Sequence, residues 1–177
     1  MGKLLIIAVT AATVGCSGRV EKDERPAFTI DSSQAFRLEF GRGSGWHGLD
    51  TVRVDQDGGV VLHRRQQADV WETTTLQLPP NALADVLKAV ESNGLMGLHR
   101  EYHADIHDGT QWVLWIKQGE QEKSVYFNNS FPRQITRFAE QLDSILSTAG
   151  QDEAAWQPVA VSESRQHERE LWDSIKR

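Results

Sequence analysis

The chain of 177 residues holds one cysteine, Cys16. An internal disulfide is excluded, and with it the cross-linked framework of small secreted domains, which needs an even set. Long apolar runs are missing too. A membrane-spanning helix takes about 20 apolar residues, and the run from Leu4 to Val14 is too short for one. Positive charge is in deficit: 19 Lys and Arg against 25 Asp and Glu give a formal net charge of -6. Phosphate contacts need clustered Lys and Arg, and an anionic bilayer attracts polybasic segments. Nucleic acid and an electrostatically held membrane surface are therefore poor partners. The signatures GxSxG, HExxH and the P-loop are absent as well, so the reading leans away from an enzyme. A hydrophobic content of 39% is enough for one core of ordinary domain size.

The N-terminus carries the most specific pattern. Met1-Gly2-Lys3 supplies one positive charge, Leu4 to Val9 is apolar, Thr10 to Gly15 are small or short, and Cys16-Ser17-Gly18 follow. A basic start, an apolar stretch of roughly 7–15 residues and a small-residue cut site mark an export signal. Residues 1–17 resemble the bacterial lipoprotein signal peptide. The box of that family is Leu, a small residue, Gly or Ala, then Cys; here it reads Thr13-Val14-Gly15-Cys16, with Thr13 in place of Leu. The resemblance implies cleavage before Cys16, a diacylglycerol on its thiol, and attachment outside the cytoplasm. Ser17 replaces the Asp of inner-membrane retention, which implies the outer membrane in a Gram-negative host and otherwise the outer face of the cell membrane. Two or three acyl chains, at about 0.8 kcal/mol per buried methylene, make a durable anchor. A lipidated thiol also removes cysteine catalysis. Residues 1–15 then form the signal peptide and 16–34 the lipidated N-terminus and a charged, flexible tether. Residues 35–149 form one domain, and 150–177 a polar C-terminal tail, part of it helical.

Within 35–149 the period of the apolar residues changes twice from two to about 3.6. Phe36-Arg37-Leu38-Glu39-Phe40 and Thr51-Val52-Arg53-Val54-Asp55 alternate as half-buried strands do. Asp57-Gly58-Gly59 signals a turn into Val60 to His63, and β-branched residues mark Val70 to Leu78. Pro79-Pro80 then opens a helix with Leu83, Val86, Leu87 and Val90 on one stripe, closed by Asn93-Gly94. Strands follow over Gln111–Lys117, whose second face carries Val113 and Trp115, and over Ser124–Asn128. Pro132 opens a second helix with Ile135, Phe138, Leu142 and Ile145 inward. The fold class is α+β: an antiparallel sheet with two helices on one face and the other face solvated or used for binding. Strands followed by a proline-started helix occur twice, a possible degenerate repeat. In the tail, Ser162 to Ile175 can form a polar helix with Leu171, Trp172 and Ile175 as its apolar handle.

Two segments are candidate sites. Gly43-Ser44-Gly45-Trp46-His47-Gly48 matches GxGxxG formally, but a strand follows where dinucleotide binding needs a helix. It reads instead as a hairpin loop whose tip offers Trp46 and His47 to a partner, or from which Trp46 folds back onto the sheet. His99, His103 and His107 recur every four residues with Glu101, Asp105 and Asp108 between them. On a strand, His103, Asp105 and His107 share one face, a feasible zinc or copper set, with His63 the one distant candidate to complete it. The competing reading is a solvated polar segment, and no metal or cofactor is expected.

The layout of 35–147, with a glycine-rich first loop ending in an aromatic residue, is similar to emfourin, a bacterial metalloprotease inhibitor. That resemblance implies an inhibitor-like binding module and carries no inhibitory residue across. The expectation is a lipid-anchored envelope protein with a non-catalytic domain that binds an envelope protein. The alternative is a metal-binding or metal-dependent envelope enzyme built on His99–Asp108.

Overall fold

Strict alternation over residues 36–40 gives the strand two chemically different faces, Leu38 and Phe40 on one and Arg37 and Glu39 on the other. The computed structural model describes residues 19–21, 28–31, 34–44, 47–67, 70–104 and 109–176. Its strands are β1 (Arg19–Glu21), β2 (Phe36–Ser44), β3 (Gly48–Asp55), β4 (Gly59–Gln67), β5 (Val70–Gln77), β6 (Glu101–His103), β7 (Thr110–Gln118), β8 (Gln121–Asn128) and β9 (Gln157–Val159). Its helices are α1 (Pro80–Ser92), α2 (Arg133–Thr148) and α3 (Val161–Ser174). The strands form one sheet in the order β1-β6-β8-β7-β2-β3-β4-β5-β9. Every pairing is antiparallel except β6 with β8.

The α+β expectation holds, with α1 and α2 on one face. Leu38, Phe40, Val52, Val54, Leu62, Leu114, Ile116, Val125 and Phe127 from the sheet meet Val86 and Val90 of α1 and Ile135, Phe138 and Leu142 of α2. Local chemistry sets the connections. In the β3–β4 turn the Gly58 amide donates to the Asp55 carbonyl at 3.0 Å, and its φ of +81° is one that a side chain would strain. Pro79 and Pro132 precede α1 and α2, where a missing amide hydrogen costs nothing. β2 also pairs with the distant strand β7 along its whole length, in register from Phe36↔Gln118 to Ser44↔Thr110. It closes the sheet between the two strands-then-helix units.

Two parts of the chain differ from their reading as periphery. Phe28 and Ile30, assigned to the tether, are buried in the main core. Gln118 fastens them by accepting from the Asp31 amide at 2.8 Å and donating to its carbonyl at 2.6 Å. The C-terminal segment is integral to the fold. β9 extends the sheet beyond β5. Ahead of it, the Arg64 guanidinium stacks 3.9 Å over the Trp156 ring, and Thr74 Oγ1 donates to the Ala155 carbonyl. The chain then crosses to the face opposite α1 and α2, where α3 lies across the sheet. That face is not simply solvated, because Leu49 and Val113 need a cover and Leu171 supplies it.

Gly41 is the seat of that cover. A Cβ placed there would lie 2.6 Å from Leu171 Cδ2 and 2.9 Å from Leu49 Cδ1. Gly41→Ala is expected to destabilise the fold by about 1–3 kcal/mol through overpacking. In a double-mutant cycle by chemical denaturation, Leu171→Ala should cost less in the Gly41→Ala background than in the wild type. Additive costs would show that α3 does not rest on Gly41.

Candidate functional site

On the α3 face, the sheet changes character between its two halves. Towards β7 and β8 it offers Val113, Trp115 and Tyr126, and α3 answers with Leu171, Trp172 and Ile175. The Trp172 and Tyr126 rings meet edge to face at 5.7 Å. The last turn of α3 is held by donors from the sheet side: Ser124 Oγ to the Ser174 carbonyl at 2.9 Å and Arg100 Nη2 to the Ile175 carbonyl at 3.1 Å. These satisfy carbonyls that a helix end leaves without partners.

Towards β3 and β4 the same interface is polar. Thr51 and His63 are register partners on adjacent strands, as are Glu39 and Arg53. Above them α3 presents Ser164 and His167, one turn before Leu171 on the same stripe. Glu39 is 3% exposed, His63 8% and His167 9%. The two imidazoles touch, with ring centroids 4.7 Å apart. Among the described residues, Thr51 Oγ1, His63 Nδ1, Ser164 Oγ and His167 Nε2 are all buried here without a hydrogen-bond partner. A buried polar group left unsatisfied costs about 1–3 kcal/mol, and such groups merit a functional explanation.

The electrostatics follow from that burial. Burial pushes the Glu39 carboxyl up to about 7, against the pull of Arg37 and Arg53. Burial, then His63 and Arg53, lowers His167 to about 4. His63 is also lowered, chiefly by burial. At neutral pH both rings are uncharged, the only state in which they can share so small a space beside Arg53. Arg53 Nε lies 3.3 Å from Asp55 Oδ2, and Arg37 Nε donates to Asp55 Oδ1 at 2.7 Å.

The residues singled out in the sequence fall elsewhere. Trp46 lies outside the described residues. His47 is exposed; its amide donates to the Ser44 carbonyl at 3.2 Å and its carbonyl accepts from Arg65 Nη1 at 2.8 Å. It lines an open cavity of about 500 Å³ with Arg42, Asp50, Arg65 and Gln67. Arg42 is held there by a two-pronged pair with Asp143 of α2, at 2.6 and 2.7 Å. A second open cavity, of about 610 Å³, lies at the opposite end of the strands between Phe36, Arg37, Asp57, Trp115 and Lys117.

Of the histidine-rich segment, Glu101–His103 forms a strand. The His103 ring nitrogen Nδ1 sits 2.9 Å from Asn128 Nδ2 and 4.0 Å from Glu101 Oε1. Asp105, His107 and Asp108 lie outside the described residues. His63 does not join His103: β4 and β6 are five strand steps apart, roughly 24 Å at about 4.8 Å per step. His63 finds a histidine partner nonetheless, and it is His167. Among the described residues, no group of three or more His, Cys, Asp or Glu could hold a metal ion, and no helix is long and apolar enough to cross a membrane. The His63–His167 contact was hidden in the sequence because a polar residue on the α3 stripe reads as solvated. The spacing of Ser164, His167, Leu171 and Ser174 by three and four was its one visible trace.

The buried carboxyl makes a pH prediction. A carboxyl raised from 4.5 to about 7 on folding favours the fold below pH 4.5 and loses that contribution as pH rises through about 7. Glu39→Gln removes the loss. Denaturation curves should therefore show the variant gaining on the wild type by on the order of 1–3 kcal/mol between pH 4.5 and 7. A difference that stays constant with pH would mean that Glu39 titrates as an exposed carboxyl.

The chain matches no curated protein. A family of domains does match, over residues 50–146, more than half of the 177 residues. That span runs from β3 into α2 and takes in His63, but not Glu39 on β2 or His167 on α3. The chain belongs to the DUF6438 family, a domain of unknown function.

Proposed function

We propose that this chain is a lipid-anchored extracytoplasmic protein, attached through Cys16, whose α+β domain is a non-catalytic, inhibitor-like module that binds a protein of the cell envelope. The anchor rests on the pattern from Met1 to Gly18. Three residue steps separate Cys16 from Arg19 of the edge strand, at most about 11 Å of chain. A lipidated Cys16 would hold that edge of the sheet close to the headgroups.

The observation that carries the binding reading is the placement of His47. It stands exposed between the end of β2 and the start of β3, beside a concave surface of mixed charge lined by Arg42, Asp50 and Arg65. Asp50 Oδ1 accepts from the Arg65 amide at 2.8 Å, so β3 and β4 brace the rim. A contact surface built on paired strands lowers the ordering cost of association.

Each half of the proposal has its own measurement. Expressed in a bacterial host, the wild type should take up labelled palmitate and partition into detergent, while Cys16→Ser should do neither; an unlabelled, aqueous wild type contradicts the anchor. In crosslinking from envelope fractions, the double variant Trp46→Ala, His47→Ala should lose at least about 80–90% of a partner captured by the wild type, as loss of a hot spot does. Unchanged capture contradicts the binding surface.

A further inference from the structure

Helix α3 covers its face of the sheet by two unlike contacts. Its C-terminal half is apolar and well anchored, with Leu171 fully buried and Ser174 and Ile175 tied to Ser124 and Arg100. Its N-terminal half rests on Ser164 and His167, whose buried atoms Oγ and Nε2 have no hydrogen-bond partner, against His63 and Thr51, which are in the same condition. Nothing apolar is fully buried along α3 before Leu171. The interface is thus held at one end and joined at the other by a pair of uncharged rings 4.7 Å apart.

We infer that α3 is an acid-released cover: protonation of the His63–His167 pair drives its N-terminal half off the sheet, while the core under α1 and α2 stays folded. The charges that face the pair decide the direction. Arg53 of β3 disfavours a proton on either ring and Arg37 of β2 disfavours one on His167, whereas Glu163 and Glu170 of α3 favour one on His63 and His167 respectively. Glu163 and Glu170 are both exposed, so solvent screens them and they compensate weakly. Glu39, the buried carboxylate of this face, takes up its own proton at about pH 7, before the rings do. Protonation of Glu39 by itself favours the docked helix, so release sets in only where both rings charge beside Arg53 with no buried negative charge left to compensate them. A buried charge without a partner is far too costly to keep, and the imidazoles reach water only if the helix lifts.

The sign is that of a depressed base. The contribution of His167 to α3 docking is complete above its ordinary value of 6.5 and lost as pH falls through about 4. What the lifted helix uncovers is Trp71, which packs beside Gly48 near the Glu168 carboxylate, together with His63 and Thr51.

Hydrogen exchange on the whole chain, corrected for intrinsic rates, tests this by comparing pH 7.5 with pH 4. Amides of 161–168 should lose protection by at least about tenfold, while those of β2, β7 and α2 keep theirs, as separate cooperative units do. In His63→Gln, His167→Gln, which cannot charge, the 161–168 amides should show no such loss. If α3 and β7 lose protection together in the wild type, or if α3 stays protected at pH 4, the inference is wrong. Should the double variant fold poorly, the ring titrations of the wild type by nuclear magnetic resonance decide instead. Release requires both rings to titrate below 6.5 in step with loss of the α3 amide signals, and titration without that loss overturns it.

Discussion

The structure depends on a sheet that has two faces to cover and only two strongly apolar helices with which to cover them. α1 and α2 close one face with aliphatic and aromatic side chains. On the other, Leu49 and Val113 are too apolar for water, while Glu39, Arg53, Thr51 and His63 are too polar for an ordinary core. α3 resolves this by matching each half: Leu171 enters the space that Gly41 leaves open, and Ser164 and His167 lie over the polar rows. Removing a Cβ at one position of the central strand is what lets a helix come that close.

A mixed interface of this kind has a definite energetic character. Full burial of a leucine contributes about 1.5–3 kcal/mol, and the orphaned polar atoms each take back an amount of the same order. The net hold on α3 is therefore small beside that on α2, whose Ile135, Phe138, Leu142 and Leu146 are all buried. Weakly held elements are those that open first and that ligands or protons can move. The shifted carboxyl and imidazoles are consequences of the same arrangement, because burial is the largest cause of each shift.

Most of the fold was legible in the sequence, for reasons specific to its residues. Strict alternation from Phe36 to Phe40, the glycines at 58 and 59 and the prolines ahead of both major helices each leave one local solution, and the observed elements follow them. Val113 and Trp115 also marked β7 as covered on both sides, which it is. What local pattern could not reveal was long-range. β6 pairs in parallel with β8 over three residues, too few for a periodic signal. Phe28 and Ile30 are two apolar residues beside a charged stretch, and only Gln118 fixes them to the core. Glu39 reads as a solvent-facing strand residue, and His167 as the polar side of a tail helix. Their burial exists only because 161–174 crosses to the second face. The lipidation pattern at Cys16 and the aromatic Trp46 are the reverse case: clear in the sequence, and outside the described residues.

The C-terminal helix belongs to the fold, seated on Gly41 with its histidine against β4. Nuclear Overhauser effects in the isotope-labelled protein at neutral pH measure this most directly. Cross-peaks are expected from the Leu171 δ-methyls to the Gly41 α-protons and between the ring protons of His63 and His167. A helical 161–174 without either cross-peak would contradict it, leaving the second face of the sheet uncovered.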